Sequence, residues 1–395
     1  MSKLIMVSEF ISANDNSTGY FWSSLIRKLS TEFSECIVIS PDIIDNCDSV
    51  FSVKVKSMNY DKNKIVNRVL FQTLQSLQFT FKILMHVRKE DTVIVGTNPT
   101  MLLFFLPMLK KAIGFNWVLL VYDIIPENLV PAGIIKKESV SFKLLNKYFS
   151  FVYSRPDKVI SIGSDMRDLI VKKCNIEPSK IDIIQNWVNH NDVKLIKREK
   201  NSVFKKMNFK ESDFVFTFFG NLGRVQGIPN ILEASKHIVN DNIKILFIGD
   251  GYFKEELTQF VNNNTKDNVF YYGSIPQEQK DQGLSAGDVA LVTLADGMLG
   301  LGVPSKSYFS MAADKPILSV MDENAEVSMM VRKHNIGWLC RPNAPKELAK
   351  CFDNIYSERY LKKQQKPRKV LVDFYSEEVA LEKFVTSIRN VHKSR

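Results

Sequence analysis

Residues 214–239, FVFTFFGNLGRVQGIPNILEASKHIV, contain a strand, a glycine-rich loop and a helix in immediate succession. The first six residues form an unbroken apolar and aromatic run, which is typical of a parallel strand buried on both faces. Gly220, Gly223 and Gly227 allow the next segment to turn tightly. Apolar residues then recur at helical spacing from 228 to 239. This order predicts one unit of a doubly wound α/β sheet.

The same alternation of strands and helices occurs twice, on either side of a polar segment at residues 189–201. It predicts two Rossmann-like parallel-sheet domains, residues 1–195 and residues 196–374, facing a central cleft at the carboxyl ends of both sheets. A last helix, within residues 375–395, is predicted to cross back onto the first domain. The predicted strands are Lys3–Val7, Cys36–Ser40, Phe51–Val55, Thr92–Val95, Trp117–Val121, Lys158–Ile162, Ile181–Ile184, Phe214–Phe219, Lys244–Ile248, Asn268–Tyr272, Asp288–Leu294 and Pro316–Val320.

The composition is that of a soluble globular protein, with 45% hydrophobic and 24% charged residues. The net charge of +10 indicates an anionic partner, which is a nucleotide, a nucleic acid or a membrane surface. The sequence has no helix-turn-helix, zinc-finger, RRM-like or KH-like signature, so nucleic acid is not expected. Its five cysteines are scattered without a C-x-x-C pair, which indicates neither a zinc ribbon nor a disulfide framework and favours the cytoplasm.

A second loop, residues 296–316, has the sequence DGMLGLGVPSKSYFSMAADKP. Three glycines precede Ser305 and Lys306, and an apolar, helix-like run follows them. A helix that begins at Ser305 would offer unpaired N–H groups and the positive end of its dipole, and Lys306 would add a full charge. This combination predicts a diphosphate site without a metal. The alternative is an ordinary strand-to-helix loop with a surface lysine.

The glycine-rich loop at 220–227 carries one cation, Arg224, which could clamp a phosphate or a developing negative charge. The alternative is a structural turn. The glycine spacing is not G-x-G-x-x-G, and no acidic residue ends the next strand, so a dehydrogenase is disfavoured. The tripeptide 249–251, Gly-Asp-Gly, is predicted to be a turn after a strand.

Polar residues also follow two predicted strands of the first domain. Asp123 ends the apolar run at 117–123, where its carboxylate could orient or deprotonate a substrate hydroxyl or stabilise positive charge. Glu127 lies about one turn further on. Asn98 belongs to another strand-end loop and could line the same side. Helix capping is the alternative for both Asp123 and Asn98.

The first domain also combines basic and apolar residues in a way that predicts contact with an anionic membrane surface. The apolar stripe by itself is typical of core packing. The basic residues are Lys54, Lys56, Lys62, Lys64, Arg68, Lys82, Arg88, Lys89, Lys110 and Lys111, and the apolar ones are the stripe Leu70, Leu74, Leu77, Phe81 and Leu84 and the run at residues 101–109.

Six segments, taken together, resemble a known family. They are DIIPENLVPAG (123–133), PSKIDIIQNWV (178–188), FFGNLGRVQGIPNILEA (218–234), IGDG (248–251), SAGDVALVTL (285–294) and PSKSYFSMAADKPIL (304–318). In order and spacing the chain resembles family 4 glycosyltransferases of the GT-B fold. Within them it is similar to the bacterial N-acetylfucosaminyl (fucosamine) transferases of surface-polysaccharide assembly, of O-antigen or capsule. The resemblance covers nearly the whole chain.

The resemblance implies a retaining hexosyltransferase without a metal or other cofactor. It would move FucNAc or another N-acetylated hexose from a UDP-sugar, bound in the second domain, to a lipid-diphosphate-linked saccharide, bound in the first. It also implies a cytoplasmic enzyme, peripheral on the inner face of the cytoplasmic membrane. The lack of a D-x-D triplet agrees with a metal-free diphosphate site. Two alternatives are a UDP-sugar epimerase-like GT-B enzyme and a catalytically impaired homologue that acts as an assembly partner.

The site residues that the resemblance implies fall into three groups. The catalytic residues would be Asp123, Arg224 and Lys306; the donor-binding residues Gly19, Gly220, Asn221, Gly223, Gly249, Gly302, Val303, Pro304, Ser305 and Lys306; and the acceptor-side residues Asn98, Asp123 and Glu127. The chain departs from the family pattern at five positions. Leu301 and Phe309 replace two glutamates, Asn221 and Gln226 replace an arginine and a lysine, and Tyr122 replaces a histidine.

Overall fold

The chain forms two compact units, each built on a wholly parallel β-sheet, in the computed structural model described here. The two predicted α/β domains are therefore confirmed. The first unit comprises Met1–Pro126, Val140–Asn186 and Glu377–Arg395, and the second comprises Glu127–Ser139 and Trp187–Ser376. The structure describes residues 2–13, 16–44, 47, 49–57, 65–359 and 365–392.

The first unit has a seven-stranded sheet in the order β3-β2-β1-β4-β5-β6-β7. Its central strands are fully buried because helices cover both faces, which explains their unbroken apolar sequences. The strands are β1 (Leu4–Val7), β2 (Cys36–Ser40), β3 (Val50–Lys54), β4 (Thr92–Gly96), β5 (Asn116–Val121), β6 (Lys158–Ser161) and β7 (Ile181–Ile183). The helices between them are α1 (Ser17–Glu32), α2 (Ile65–His86), α3 (Leu106–Ile113), α4 (Val140–Ser154) and α5 (Ser164–Cys174).

The second unit has a six-stranded sheet in the order β10-β9-β8-β11-β12-β13. Its core is rich in phenylalanine, and the rings of Phe216 and Phe352 meet edge to face with centroids 4.6 Å apart. The strands are β8 (Phe214–Phe219), β9 (Ile243–Ile248), β10 (Val269–Gly273), β11 (Val289–Thr293), β12 (Ile317–Val320) and β13 (Gly337–Cys340). The helices are α6 (Ser202–Lys206), α7 (Ile228–Ser235), α8 (Lys254–Asn263), α9 (Lys280–Ser285), α10 (Lys306–Ala312), α11 (Glu326–His334), α12 (Pro345–Ser357) and α13 (Pro367–Phe374).

The last helix, α14 (Glu377–His392), belongs to the first unit, as predicted. Its buried face contains Phe384 and Ile388. The Ser387 hydroxyl donates to a carboxylate oxygen of Asp182 at 2.6 Å, and the Asn116 side-chain amide donates to the Val391 carbonyl at 3.4 Å. Apolar burial and these bonds together attach the end of the chain to the first sheet.

Some boundaries differ from the predictions for local reasons. Residues 187–195, which the sequence assigns to the first domain, group with the second unit because the Arg368 guanidinium donates to the carbonyls of Val193 and His190, at 3.0 and 2.7 Å. Helix α7 was predicted to reach Val239, but it ends at Ser235, whose carbonyl accepts a bond from the Asn268 amide at 2.8 Å. Residues 127–139 also group with the second unit.

Candidate functional site

Two loops at the carboxyl end of the second sheet are held together by backbone hydrogen bonds. The Gly220 amide donates to the Ile248 carbonyl at 2.9 Å, and the Leu222 amide donates to the Asp250 carbonyl at 2.9 Å. Gly249 has a φ of +145°, and a Cβ atom there would lie 1.9 Å from the Gly220 carbonyl oxygen. The backbone of the loop after β9 thus contacts the loop after β8 at a distance that only glycine permits.

We expect Gly249→Ala to lower the free energy of unfolding by about 3 kcal/mol or more, because a backbone clash adds to the strain of positive φ. Gly273→Ala is the matched control: its φ is +90°, but nothing lies within 4 Å of the added Cβ. The control should show the backbone strain alone, about 1–2 kcal/mol. Urea denaturation of both variants measures the difference, and equal losses would contradict the contact.

The side chain of Lys306 contacts both strand β8 and the loop that follows it. Its Nζ atom is 2.5 Å from the side-chain oxygen of Gln226 and 3.7 Å from the centroid of the Phe218 ring. Its Cε atom lies 3.9 Å from the position of a Cβ atom on Gly220. Burial lowers the pKa of Lys306 to about 7. The structure therefore brings together Lys306 and the glycine-rich loop, 80 residues apart in the chain.

Gln226 is held in place by two hydrogen bonds of its backbone amide and carbonyl. Its amide donates to the Gly223 carbonyl at 3.1 Å, and its carbonyl accepts a hydrogen bond from the Thr293 hydroxyl. Within the described part of the chain, no carboxylate forms an ion pair with Lys306, whose contacts are a neutral amide and an aromatic face. An ammonium group in such surroundings can pair with an anion that enters the site.

The segment before Lys306 differs in one respect from the prediction. Helix α10 begins at Lys306 rather than at Ser305, and it has only seven residues. The amides of Ser307 and Tyr308 donate to the carbonyls of Pro304 and Ser305, at 3.2 and 3.1 Å, so these two N–H groups already have partners. The positive charge at this point therefore comes from the lysine more than from a long helix dipole.

The two residues near this segment that replace the expected glutamates differ in burial. Leu301 is buried, as is Val303, and Phe309 is half-buried on α10. Gly302 and Pro304 are half-buried in the loop between β11 and α10. The structure thus fills with hydrophobic groups the positions at which the family pattern has carboxylates.

Arg224 has different surroundings. Its guanidinium carbon lies 3.4 Å from the centroid of the Tyr252 ring, a cation–π contact at the protein surface. The side chain also lines a cavity of about 290 Å³, whose lining does not include Lys306. The two cations that the sequence assigned to one phosphate site therefore contact different groups. Asn221, on the same loop, is exposed, and its side chain lies within 3 Å of where a Cβ atom would stand on Gly223 or Gly251.

The tripeptide 249–251 was predicted to be a turn, but the turn lies at residues 252–253, where the Lys254 amide donates to the Gly251 carbonyl at 3.1 Å. One carboxylate oxygen of Asp250 accepts the Gly251 amide at 2.7 Å, and the other pairs with the Lys254 ammonium at 3.0 Å. These contacts, the lysine first, lower the pKa of Asp250. The Gly249 carbonyl accepts the Tyr271 hydroxyl at 3.0 Å. The tripeptide is thus tied to β10 and to the start of α8.

The predicted residues of the first unit follow strands β4 and β5. Asp123 is exposed just beyond the end of β5. The Thr97 hydroxyl oxygen accepts bonds from the amides of Tyr122 and Asp123, at 3.2 and 3.4 Å, so the ends of the two strands are linked. Asn98 is half-buried in the loop after β4. Burial raises the pKa of Tyr122.

Two other predicted residues have clear local settings. Gly19 lies in α1, where a Cβ atom would meet the Ser12 carbonyl oxygen at 2.0 Å, and its amide donates to the Asn16 side chain at 2.8 Å. Close packing of the loop before α1 therefore requires glycine at this position. Glu127 begins a single 3₁₀ turn, Glu127–Leu129, and groups with the second unit.

The apolar stripe on α2 is exposed, contrary to the core packing that it suggested by itself. Leu70, Leu74, Leu77, Phe81 and Leu84 have exposed fractions of 54, 40, 45, 60 and 48%. The opposite face of α2 supplies the core through Phe79 and Ile83. A helix with one buried face and a second, exposed apolar face leaves an unusual hydrophobic surface.

The other parts of the predicted membrane surface differ from one another. The run at 101–109 is mainly interior: Leu102, Leu103, Leu106 and Leu109 are buried, and only Met108 among its large side chains is well exposed, at 70%. The prediction that this run faces a membrane is therefore wrong for most of its residues, which fill the core beside α2. Lys54, Lys56, Arg88, Lys89 and Lys111 are exposed, while Lys82 and Lys110 are half-buried. Lys62, Lys64 and the side chain of Arg68 lie outside the described residues.

Two features are absent from the described ranges. No helix there is both long and apolar enough to cross a membrane. Nor does that part of the chain contain a group of three or more His, Cys, Asp or Glu side chains arranged to hold a metal ion.

Comparison with known proteins adds three kinds of similarity. A family model described as Glycosyl transferases group 1 matches residues 199–370. A protein from Pseudomonas aeruginosa described as "Probable glycosyltransferase WbjE" is 43% identical over 394 residues, which cover 98% of each chain. A UDP-Gal:alpha-D-GlcNAc-diphosphoundecaprenol alpha-1,3-galactosyltransferase from Escherichia coli is 25% identical over 127 residues, 31% of this chain and 32% of that one.

The fold is similar to that of solved glycosyltransferase structures. Anabaena Alr3699/HepE in complex with UDP superimposes with a TM-score of 0.71 at 12% identity, over 99% of this chain and 100% of that chain. The same protein has also been solved with UDP-glucose. At this identity the likeness concerns the fold alone.

Proposed function

The chain belongs to the glycosyltransferase group 1 family and is a glycosyltransferase of the GT-B fold, and from that premise we propose its donor, acceptor and site. The proposed reaction is the transfer, with retention, of FucNAc or another N-acetylated hexose from a UDP-sugar to a lipid-diphosphate-linked saccharide. The product would enter a bacterial surface polysaccharide, an O-antigen or a capsule.

The observation that carries the proposed donor site is the Lys306 ammonium, which contacts Gln226 and Phe218 but has no carboxylate partner within the described residues. It lies beside the loops that follow β8 and β11, two neighbouring strands from which the chain proceeds in opposite directions. Crevices at such a switch point are where parallel α/β sheets bind ligands. A diphosphate there would supply the anion that the lysine lacks.

The chemistry of the reaction explains why this charge matters. As the bond between the sugar and the diphosphate breaks, negative charge grows on the departing oxygen. A fixed ammonium beside that oxygen stabilises the transition state more than the bound substrate, and this difference is what accelerates a reaction. Lys306 would serve this role without a metal, with the glycine-rich loop at residues 220–227 and Ser305 around the phosphates. Asp123 would assist at the reacting sugar from the end of β5.

The relatives support the identities of donor and acceptor. The names of the E. coli relative and of the Anabaena structures contain UDP or a UDP-sugar, and the former also names a diphospholipid-linked acceptor. A lipid-linked acceptor requires the enzyme to work at a membrane surface. The exposed stripe of α2, flanked by Lys54, Lys56, Arg88 and Lys89, suits the inner face of the cytoplasmic membrane.

A donor screen tests the proposal. The purified protein is incubated with radiolabelled UDP-sugars, among them UDP-FucNAc and UDP-GlcNAc, and with lipid-diphosphate-linked saccharide acceptors. We expect label in the lipid fraction, with or without EDTA, because Lys306 supplies the positive charge. A new UDP-sugar without transfer would indicate an epimerase. No turnover of any donor would indicate a non-catalytic partner, and loss of transfer in EDTA would contradict the metal-free site.

The pH dependence of the reaction should report on Lys306. Since burial lowers its pKa to about 7 in the free protein, the lysine is protonated below that pH and neutral above it. We expect kcat/KM for the donor to fall as the pH rises through about 7, because kcat/KM reflects the free enzyme and the neutral amine cannot pair with phosphate. In Lys306→Arg the charge persists, so any remaining activity should keep a flat profile up to pH 9. The same fall in both proteins would assign the titration to another group.

A further inference from the structure

The second unit contains a cavity of about 290 Å³ that the proposed donor site does not explain. It lies between the start of α7, the end of β11 and the loop after it, the end of β12, and the segment that precedes α12. Its lining includes Arg224, Asn230, Phe253, Asp296, Val320 and Asn343. At about 30 Å³ for each water, the cavity has room for about ten heavy atoms, close to the size of one pyranose ring with its hydroxyl groups.

Asn230 is the first sign that this cavity takes a ligand. The side-chain oxygen of Asn230 is buried and accepts no hydrogen bond from the described residues. An acceptor left in this way costs about 1–3 kcal/mol, and such groups are rare. Because that oxygen has no hydrogen bond to lose, the amide can turn toward the cavity when a hydroxyl donor enters it.

The charges around the cavity favour a neutral ligand. Arg224 and Asp296 both line it, so its wall contains one cation and one carboxylate. A phosphate or another anion in the cavity would be repelled by the Asp296 carboxylate. Its attraction to the single arginine would offset this repulsion without a net gain. A ligand with many hydroxyl groups can donate to the carboxylate and accept from the guanidinium at the same time.

The rest of the wall has the mixed character that a sugar ring requires. Phe253 and Val320 supply apolar surface for the C–H face of a ring, while the side-chain amides of Asn230 and Asn343 can each donate and accept. A flat base would use the apolar wall but few of the polar groups, which lie on several lining segments. Sugar hydroxyls project around the ring and match this distribution.

We propose that this cavity is a sugar subsite, distinct from the Lys306 site, which binds one neutral pyranose ring of a saccharide. The choice of ligand class rests on the proposed function, since the enzyme would work on saccharide chains. Arg224, which lines the cavity, then serves the subsite rather than the donor diphosphate.

Saturation-transfer NMR on the full-length protein tests the subsite. The probes are methyl glycosides of N-acetylglucosamine, galactose and fucose, with UMP and inorganic phosphate as competitors. We expect at least one glycoside to bind, with an affinity at least fivefold weaker in Asn230→Leu and in Asp296→Asn. The matched control is Asn263→Leu, an exposed asparagine on α8 that does not line this cavity. It should bind the glycoside like the wild type.

Several results would overturn the subsite. They are the lack of binding by any glycoside, equal affinity in wild type and Asn230→Leu, and displacement of the glycoside by UMP or phosphate. Thermal melts of each variant show whether it is folded, and Asp296→Asn keeps the shape of the side chain if Asn230→Leu does not fold. The affinity for UDP, measured in parallel by calorimetry, separates the sugar subsite from the proposed donor site. In Asn230→Leu and in Asp296→Asn it should stay within twofold of the wild-type value. If the wild type does not bind UDP, the proposed donor site is contradicted, while the glycoside result still stands.

Discussion

Lys306→Ala is expected to lower the rate of sugar transfer about 100-fold, the effect usual for removing one preorganised donor to a developing negative charge. The lysine is held for this purpose before any substrate arrives. Gln226 orients the ammonium at 2.5 Å without neutralising it, and the Phe218 ring supports it from 3.7 Å. Steady-state kinetics with the UDP-sugar should show the loss in both kcat and kcat/KM. A rate within twofold of the wild type would refute the site.

The contact with Gln226 also offers a rescue experiment. In the double variant Lys306→Gln/Gln226→Lys the two side chains exchange ends, so an ammonium returns to nearly the same place. We expect this variant to be at least tenfold faster than Lys306→Gln, because the charge is restored although its tether is different. Because the exchange also restores the contact between lysine and glutamine, a role in folding alone would appear as a melting temperature that falls in Lys306→Gln and recovers with the rate. Burying an amine is costly, so its removal can itself change the stability of the protein. Thermal melts of Lys306→Ala, Lys306→Gln and the double variant should confirm that each is folded.

Replacing two residues of the α2 stripe should have a comparable effect on membrane binding. We expect Leu77→Gln/Phe81→Gln to bind vesicles of anionic lipid about 100-fold more weakly, because each buried large apolar side chain contributes about 1.5 kcal/mol or more and 1.4 kcal/mol is tenfold. Both side chains are about half exposed, at 45 and 60%, so the folded state should lose little. Flotation with vesicles of phosphatidylglycerol and phosphatidylcholine measures the change.

The matched control is Val239→Gln, which removes an apolar side chain that is 83% exposed on the second unit, far from α2 in sequence. It should float with the vesicles like the wild type. Binding should also weaken at high salt, since the lysines and arginines near the stripe act through screened charge. If the wild-type protein remains in the soluble fraction with anionic vesicles, α2 is not a membrane surface and another partner must cover it.

The strands were predictable because their burial leaves a local mark. Parallel strands under helices on both faces consist of consecutive apolar residues, so Cys36–Ser40 and Phe214–Phe219 were predicted with the bounds that β2 and β8 have. Strand β13 was missed because it lies at the sheet edge and is mostly half-buried. Its four residues, Gly-Trp-Leu-Cys, show neither a long apolar run nor alternation.

The stripe on α2 illustrates the limit of such patterns. Spacings of three and four residues place Leu70 to Leu84 on one face of a helix. The periodicity does not indicate what covers that face. The buried face of α2 and its exposed apolar face have the same kind of sequence pattern. The run at 101–109 shows the opposite error: it resembles a lipid-facing segment, yet its leucines complete the core.

The amino-acid sequence alone thus determined two parallel α/β units, the return of the last helix and the loops after β8 and β11, because burial, glycine and strand order act locally. Only the tertiary structure decided that Lys306 contacts Gln226, that Arg224 turns instead to Tyr252 and the cavity of Asn230, and that α2 exposes its leucines. These facts depend on contacts between residues far apart in the chain, and a linear pattern does not encode which of several similar side chains will meet.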